Sequence, residues 1–190
     1  MDVRFDLFER LNTGGIVLTN QEIRSCVYRG KFNAFIKDLS LDPNFRKSVR
    51  LTTNQESDGT RDEFVLRFFA FLNNYQNFDH SVVDFLNEFM NDATKRFDFK
   101  KGEDIFRDTF KQLAALPDGI TRNRSTTPAN LYEGVAVGAA LALNQNKKLI
   151  LDNLQWFTSP ELKSVTTGAT NSRVRVTKRI EYCRDKFLGL

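Results

Sequence analysis

The chain has 190 residues, 41% hydrophobic and 27% charged, and a formal charge of +4. That is the composition of an ordinary soluble protein, long enough for one domain with a sizeable core. Two cysteines, Cys26 and Cys183, are too few for a disulfide framework, and with the lone His80 they do not supply a zinc site of the His/Cys type. Free thiols in a reducing cytosol are the better reading, so the chain is expected to be cytoplasmic. Its longest apolar stretch, "VAVGAALAL" from Val135 to Leu143, is far shorter than the roughly 20 residues of a membrane span. The start, "MDVRFDLFER", lacks the apolar segment of a signal peptide. Eighteen phenylalanines against one tryptophan and four tyrosines predict a core built on aromatic rings.

In chain order the periodicity is helical almost throughout. "DLFERL" puts Leu7, Phe8 and Leu11 on one face and stops at Asn12-Thr13-Gly14-Gly15. Thr19 and Glu22 form a capping box, in which the hydroxyl accepts from the third amide and the carboxylate reaches back to the cap amide. Ile23, Cys26 and Val27 follow as an apolar stripe up to Gly30. Phe32, Phe35, Ile36 and Leu39 mark the next helix, and Asp42-Pro43 opens another. "TNQESDGT" reads as a polar loop from Thr53 to Thr60, and Thr60 with Glu63 as a second capping box. Phe64, Phe68, Phe71, Leu72 and Tyr75 make the helix after it the most periodic in the chain, hence central.

Ser81 and Asp84 resemble a third capping box, before Phe85, Leu86, Phe89 and Met90. Ile105, Phe106, Phe110 and Leu113 line a helix that Pro117-Asp118-Gly119 ends. Thr127-Pro128 and Ser159-Pro160 each pair a cap with a first-turn proline. Gly134 and Gly138, four apart, predict close helix contact that compensates the roughly 1 kcal/mol cost of each glycine. In the last helix Val176, Ile180, Cys183 and Phe187 face inward, flanked by Arg175, Arg179 and Lys186. The fold expected is all-α, an irregular multi-helix bundle, with room for a short strand at Val3 and Phe5.

The charge is local. Residues 171–190 hold six basic side chains against Glu181 and Asp185, and the remaining positions balance at 22 against 22. Nucleic acid or phosphate should therefore be drawn to the C-terminus, through Arg175, Lys178, Arg179 and Lys186. The bland alternative is a solvated helix face. No Walker-type phosphate loop occurs. The carboxylates Asp58, Asp62 and Glu63, and Glu103 and Asp104, stand at helix starts, where the helix dipole favours them without catalysis.

"FERLNTGGIVLTNQEIR", from Phe8 to Arg24, resembles the signature closing the N-terminal domain of DUF262 proteins, which include the GmrSD-type modification-dependent restriction systems and related phage-defence proteins. "EFVLRFFAF", "LYEGVAVG" and "KRIEYCRDKFLG" are similar to later family helices, with less specificity. The resemblance implies that residues 1–30 are the rear edge of a ParB/sulfiredoxin-like nucleotide domain and that 31–190 form a helical domain. It implies a partial nucleotide site at Arg10, Asn12, Gly14, Gly15, Glu22 and Arg24.

The family's "DGQQR"-like hydrolytic motif and its HNH nuclease histidines do not occur here, so no catalytic residue is expected in this chain alone. A nucleoside triphosphate would be a cofactor only with the missing N-terminal half supplied, as by a split gene or a longer product. Two functions follow: a helical module of a DUF262-type defence effector that meets foreign or modified DNA, or a non-catalytic module that packs against a partner protein through apolar surface near Val3, Phe5 and Phe8. A free-standing enzyme with a carboxylate site has no positive support.

Overall fold

The computed structural model describes residues 3, 5, 7, 10, 17–122, 125–145 and 148–190. Among them every regular element is helical. Val3, Phe5, Leu7 and Arg10 are helical too, so the optional strand at Val3 and Phe5 is replaced by helix. No described helix is long and apolar enough to cross a membrane.

Local chemistry sets most helix starts. In α1 (Asn20–Val27), Thr19 and Glu22 close the expected capping box. After α2 (Lys31–Ser40), Asp42 caps α3 (Pro43–Ser48) by accepting from the amides of Asn44 and Phe45 at 2.9 and 3.0 Å. The expected loop at Thr53 is instead a short helix, α4 (Thr53–Ser57), because Thr52 and Gln55 form a capping box of their own.

The box expected at Thr60 and Glu63 does not form. Gly59, in the left-handed region at φ 79°, precedes α5 (Thr60–Asn74), Asp58 accepts from the Thr60 amide, and Glu63 turns inward to arginines. Ser81 caps α6 (Val82–Ala93) through the Asp84 amide, and Asp98 caps α7 (Phe99–Leu113). Thr127 is no cap: its hydroxyl accepts from the Arg50 amide at 2.9 Å, and Pro128 takes the cap position of α8 (Ala129–Tyr132). A π-helical turn, Glu133–Val137, carries α8 into α9 (Gly138–Leu143). Ser159 caps α10 (Pro160–Thr166), and α11 (Arg173–Leu188) closes the chain at Gly189.

Helix α5 is central, touching α1, α2, α4, α6 and the π turn. Around it α2, α3 and α7 build an aromatic layer. Phe68 meets Phe69, Phe106 and Phe110 with centroids 5.2–5.7 Å apart, mostly edge to face, the geometry that ring quadrupoles favour. Tyr132 stacks on Phe64 at 4.6 Å while its hydroxyl donates to the Phe64 carbonyl.

On the other side, α9 and the π turn lie against α11 almost backbone to backbone. A Cβ on Gly138 would sit 2.8 Å from the Ile180 carbonyl oxygen and the Arg184 amide nitrogen. That is the close approach that the Gly134/Gly138 spacing predicted.

Candidate functional site

Of the six residues expected for the nucleotide site, Arg10, Glu22 and Arg24 lie among the described residues. Arg10 is helical and exposed. Asn12, Gly14 and Gly15 lie outside the described residues. Glu22 is committed to its cap, accepting from the Thr19 amide at 2.7 Å and the Thr19 hydroxyl at 3.1 Å. It also lines a cavity of about 530 Å³ beside α1, with Cys26, Lys37, Arg46, Glu56 and Arg61.

Arg24 departs most from a phosphate ligand. It is 1% exposed, lies under the Phe5 ring at 5.8 Å, and points into the protein. Its place on the helix explains this: Arg24 is four residues before Tyr28, which belongs to the core.

Arg24 begins a buried ionic ladder. It donates to Glu63 at 2.9 Å, and Glu63 accepts from Arg67 at 2.7 Å. Arg67 reaches Glu133 on the π turn, and Glu133 reaches Arg179 on α11. Glu133 and Arg179 are fully buried. Three guanidiniums against two carboxylates leave one surplus positive charge.

Neutral acceptors share that surplus. Arg24 donates to the side-chain oxygens of Asn87 and Gln21, and Arg179 donates to the Thr170 carbonyl at 2.9 Å. Burial lowers the Arg24 pKa, which Glu63 only partly offsets. For Arg67, burial acts downward, but Glu133 and Glu63 outweigh it and raise its pKa. Burial pushes the Glu63 carboxyl up, but Arg67 and Arg24 together hold it below its ordinary value. Groups so buried are costly to desolvate, and the arrangement stands only because each has a partner.

The basic set on α11 also divides. Arg175 and Lys178 are exposed, and Arg175 donates to the Ala169 carbonyl at 3.0 Å. Lys186 is half-exposed over the Tyr182 ring and donates to the Leu190 carbonyl. Arg179, expected on the outer flank, is instead fully inside and neutralised by Glu133. It lies three residues after Val176 and four before Cys183, so the apolar stripe itself carries it inward.

Glu133 stands outside the site residues that the sequence suggests. A lone carboxylate in the run from Leu131 to Leu143 was the available signal, since a charge there needs a buried partner. Burial raises the thiol pKa of Cys183 far above normal, which makes it a poor nucleophile. His80 is exposed beside Asp79. Among the described residues, no group of three or more His, Cys, Asp or Glu is placed to hold a metal ion.

No protein-family model, curated protein or solved structure matches the chain.

Proposed function

We propose that this chain is the helical module of a DUF262-type, GmrSD-like defence effector. It contributes to nucleotide-linked recognition of foreign or modified DNA and holds no catalytic centre of its own. One observation carries this reading. The four stretches that resemble the family each contribute to the same buried ladder: Arg24 from "FERLNTGGIVLTNQEIR", Glu63 and Arg67 from "EFVLRFFAF", Glu133 from "LYEGVAVG" and Arg179 from "KRIEYCRDKFLG". Charged residues scattered over 156 positions of sequence, from Arg24 to Arg179, converge on one structural element.

In this reading the ladder is a rigid tie between the signature helix and the basic C-terminal helix, and hydrolysis belongs to a nucleotide domain on the same gene or a partner chain. The test is nucleotide turnover by the purified chain, alone and with a "DGQQR"-bearing domain encoded beside it. Turnover is expected only for the pair. Clear turnover by the chain alone, lost in Arg10→Ala, would overturn the proposal.

A second reading, a protein-interaction module, is favoured by exposed apolar side chains near the start: Val3 at 79%, Leu7 at 55% and Val17 at 67%. Phe5, expected to share that surface, is buried at 2% and faces Arg24 instead, and Phe8 lies outside the described residues. A stable complex with a co-purified chain, lost when Val3 and Leu7 become serine, would establish it.

A further inference from the structure

Eight arginines are buried or half-buried among the described residues: Arg24, Arg50, Arg61, Arg67, Arg107, Arg122, Arg179 and Arg184. Seven pair with a carboxylate. Arg122 does not. Among the described residues its guanidinium donates to the hydroxyls of Thr166 and Thr167, its Nε has no hydrogen-bond partner, and burial lowers its pKa with no carboxylate to offset it. A half-buried cation without a counter-charge gains from an anion that reaches its exposed edge beside Thr167.

The loop that Arg122 grips runs from Thr167 to Ser172 and is pinned from within. Arg179 holds the Thr170 carbonyl, and Asn130 donates to the Thr170 hydroxyl. Arg175 crosses the same loop to Ala169, and Lys178 is its neighbour one turn along α11. Gly168 bends the loop at φ 78°, with open space where a side chain would be. Ser172 makes no side-chain cap bond, so the first amides of a 16-residue helix face the same region with their positive dipole end. The first eight residues of α11, Arg173 to Ile180, contain no acidic side chain, whereas Glu181 and Asp185 offset the cations of its second half.

We propose that Arg122, Arg175, Lys178 and the Thr167–Ser172 loop form a binding surface for the phosphodiester backbone of nucleic acid. Guanidinium, ammonium, threonine and serine hydroxyls, and helix amides are the donors that grip phosphate oxygens without reading bases. A lipid surface is the poorer fit: Val174 is the large apolar residue exposed beside these cations, and bilayer binding calls for a face of Leu, Phe or Trp. The proposal rests on the nucleic-acid part of the function proposed above and relocates it. Arg179 becomes a positioning residue for the loop, and Lys186 falls outside the surface.

The test is fluorescence anisotropy of the full chain with a labelled DNA duplex. Three phosphate contacts give a salt slope of about −2.7, so binding should weaken about 40-fold between roughly 50 and 200 mM salt. The double variant Arg175→Ala/Lys178→Ala, both exposed positions, should bring the slope to about −0.9 at unchanged melting temperature. Arg122→Gln should lower it by about one contact, and Lys100→Ala, paired with Asp104 on α7, should leave it unchanged.

DNA binding that survives the double variant but is lost in Lys186→Ala would overturn this surface and leave the DNA reading standing. No DNA binding at about 50 mM salt would overturn both. Loss of the charge-dependent signal to anionic vesicles but not to DNA would identify a membrane surface and also overturn the proposal.

Discussion

The two sides of the core solve packing in opposite ways. Around α5 and α7, bulky rings interlock, with Phe106 lying 4.5 Å from Phe110 and 5.2 Å from Phe68 between centroids. Between α9 and α11 the glycines let the backbones close to a distance that excludes a Cβ on Gly138. The ladder runs from one side to the other, through Glu63 and Arg67 on α5 to Glu133 and Arg179 at the glycine seam. Rings can shift and refill small gaps, whereas two backbones in contact have nothing to move. The aromatic side should therefore tolerate conservative change, and the seam and its ion pairs should not.

The largest expected effect tests the crossing point. Glu133→Ala leaves Arg67 and Arg179 buried without their shared carboxylate and should destabilise by about 3–5 kcal/mol in urea unfolding. A loss under about 1 kcal/mol would mean the ladder is incidental to stability. Next is the seam: Gly138→Val should cost about 3 kcal/mol, the upper range for overpacking, because the obstructing atoms are the Arg184 amide nitrogen, the Ile180 carbonyl oxygen and the Cβ of Cys183, none of which can swing away. On the ring side, Phe106→Leu should cost about 1 kcal/mol, as a swap that stays hydrophobic and near the same size. If the Phe106 variant proved the worse of the two, the contrast between the two sides would be reversed.

The smallest effect is read as a pH dependence. Burial raises and the two arginines more strongly lower the Glu63 pKa, so that it stands below its ordinary 4.5 in the folded chain. A depressed carboxyl stabilises fully above that ordinary value and loses its contribution as pH falls through the folded one. Wild type should thus lose urea resistance below about pH 4.5 more steeply than Glu63→Gln. Equal slopes would show that Glu63 does not gain from its arginines.

What was legible in the sequence was what is decided locally. The caps at Thr19, Asp42, Ser81 and Ser159 stand where a side chain and an amide two or three residues away settle the matter. Thr60–Glu63 and Thr127–Pro128 failed because distant partners compete: Arg24 takes Glu63 across 39 positions, and Arg50 takes Thr127 across 77. The same reason hid the ladder. Arg24 and Arg179 look like surface cations until the carboxylates that draw them inward are seen. The Gly134/Gly138 contact was readable because a four-residue glycine spacing has few other uses in a helix. Arg122 offered no signal, since its lack of a carboxylate exists only in three dimensions.

Cys183 stands at the glycine seam, its sulfur 3.3 Å from where a Cβ on Gly134 would be, and it is wholly enclosed. Cys26 borders a cavity open to solvent. The two thiols therefore keep different time. An alkylating reagent meets Cys26 in the native chain, but reaches Cys183 only when α11 lifts away from its neighbour. The rate at which the second thiol is capped is a built-in clock for that parting, legible by mass without any label having been engineered.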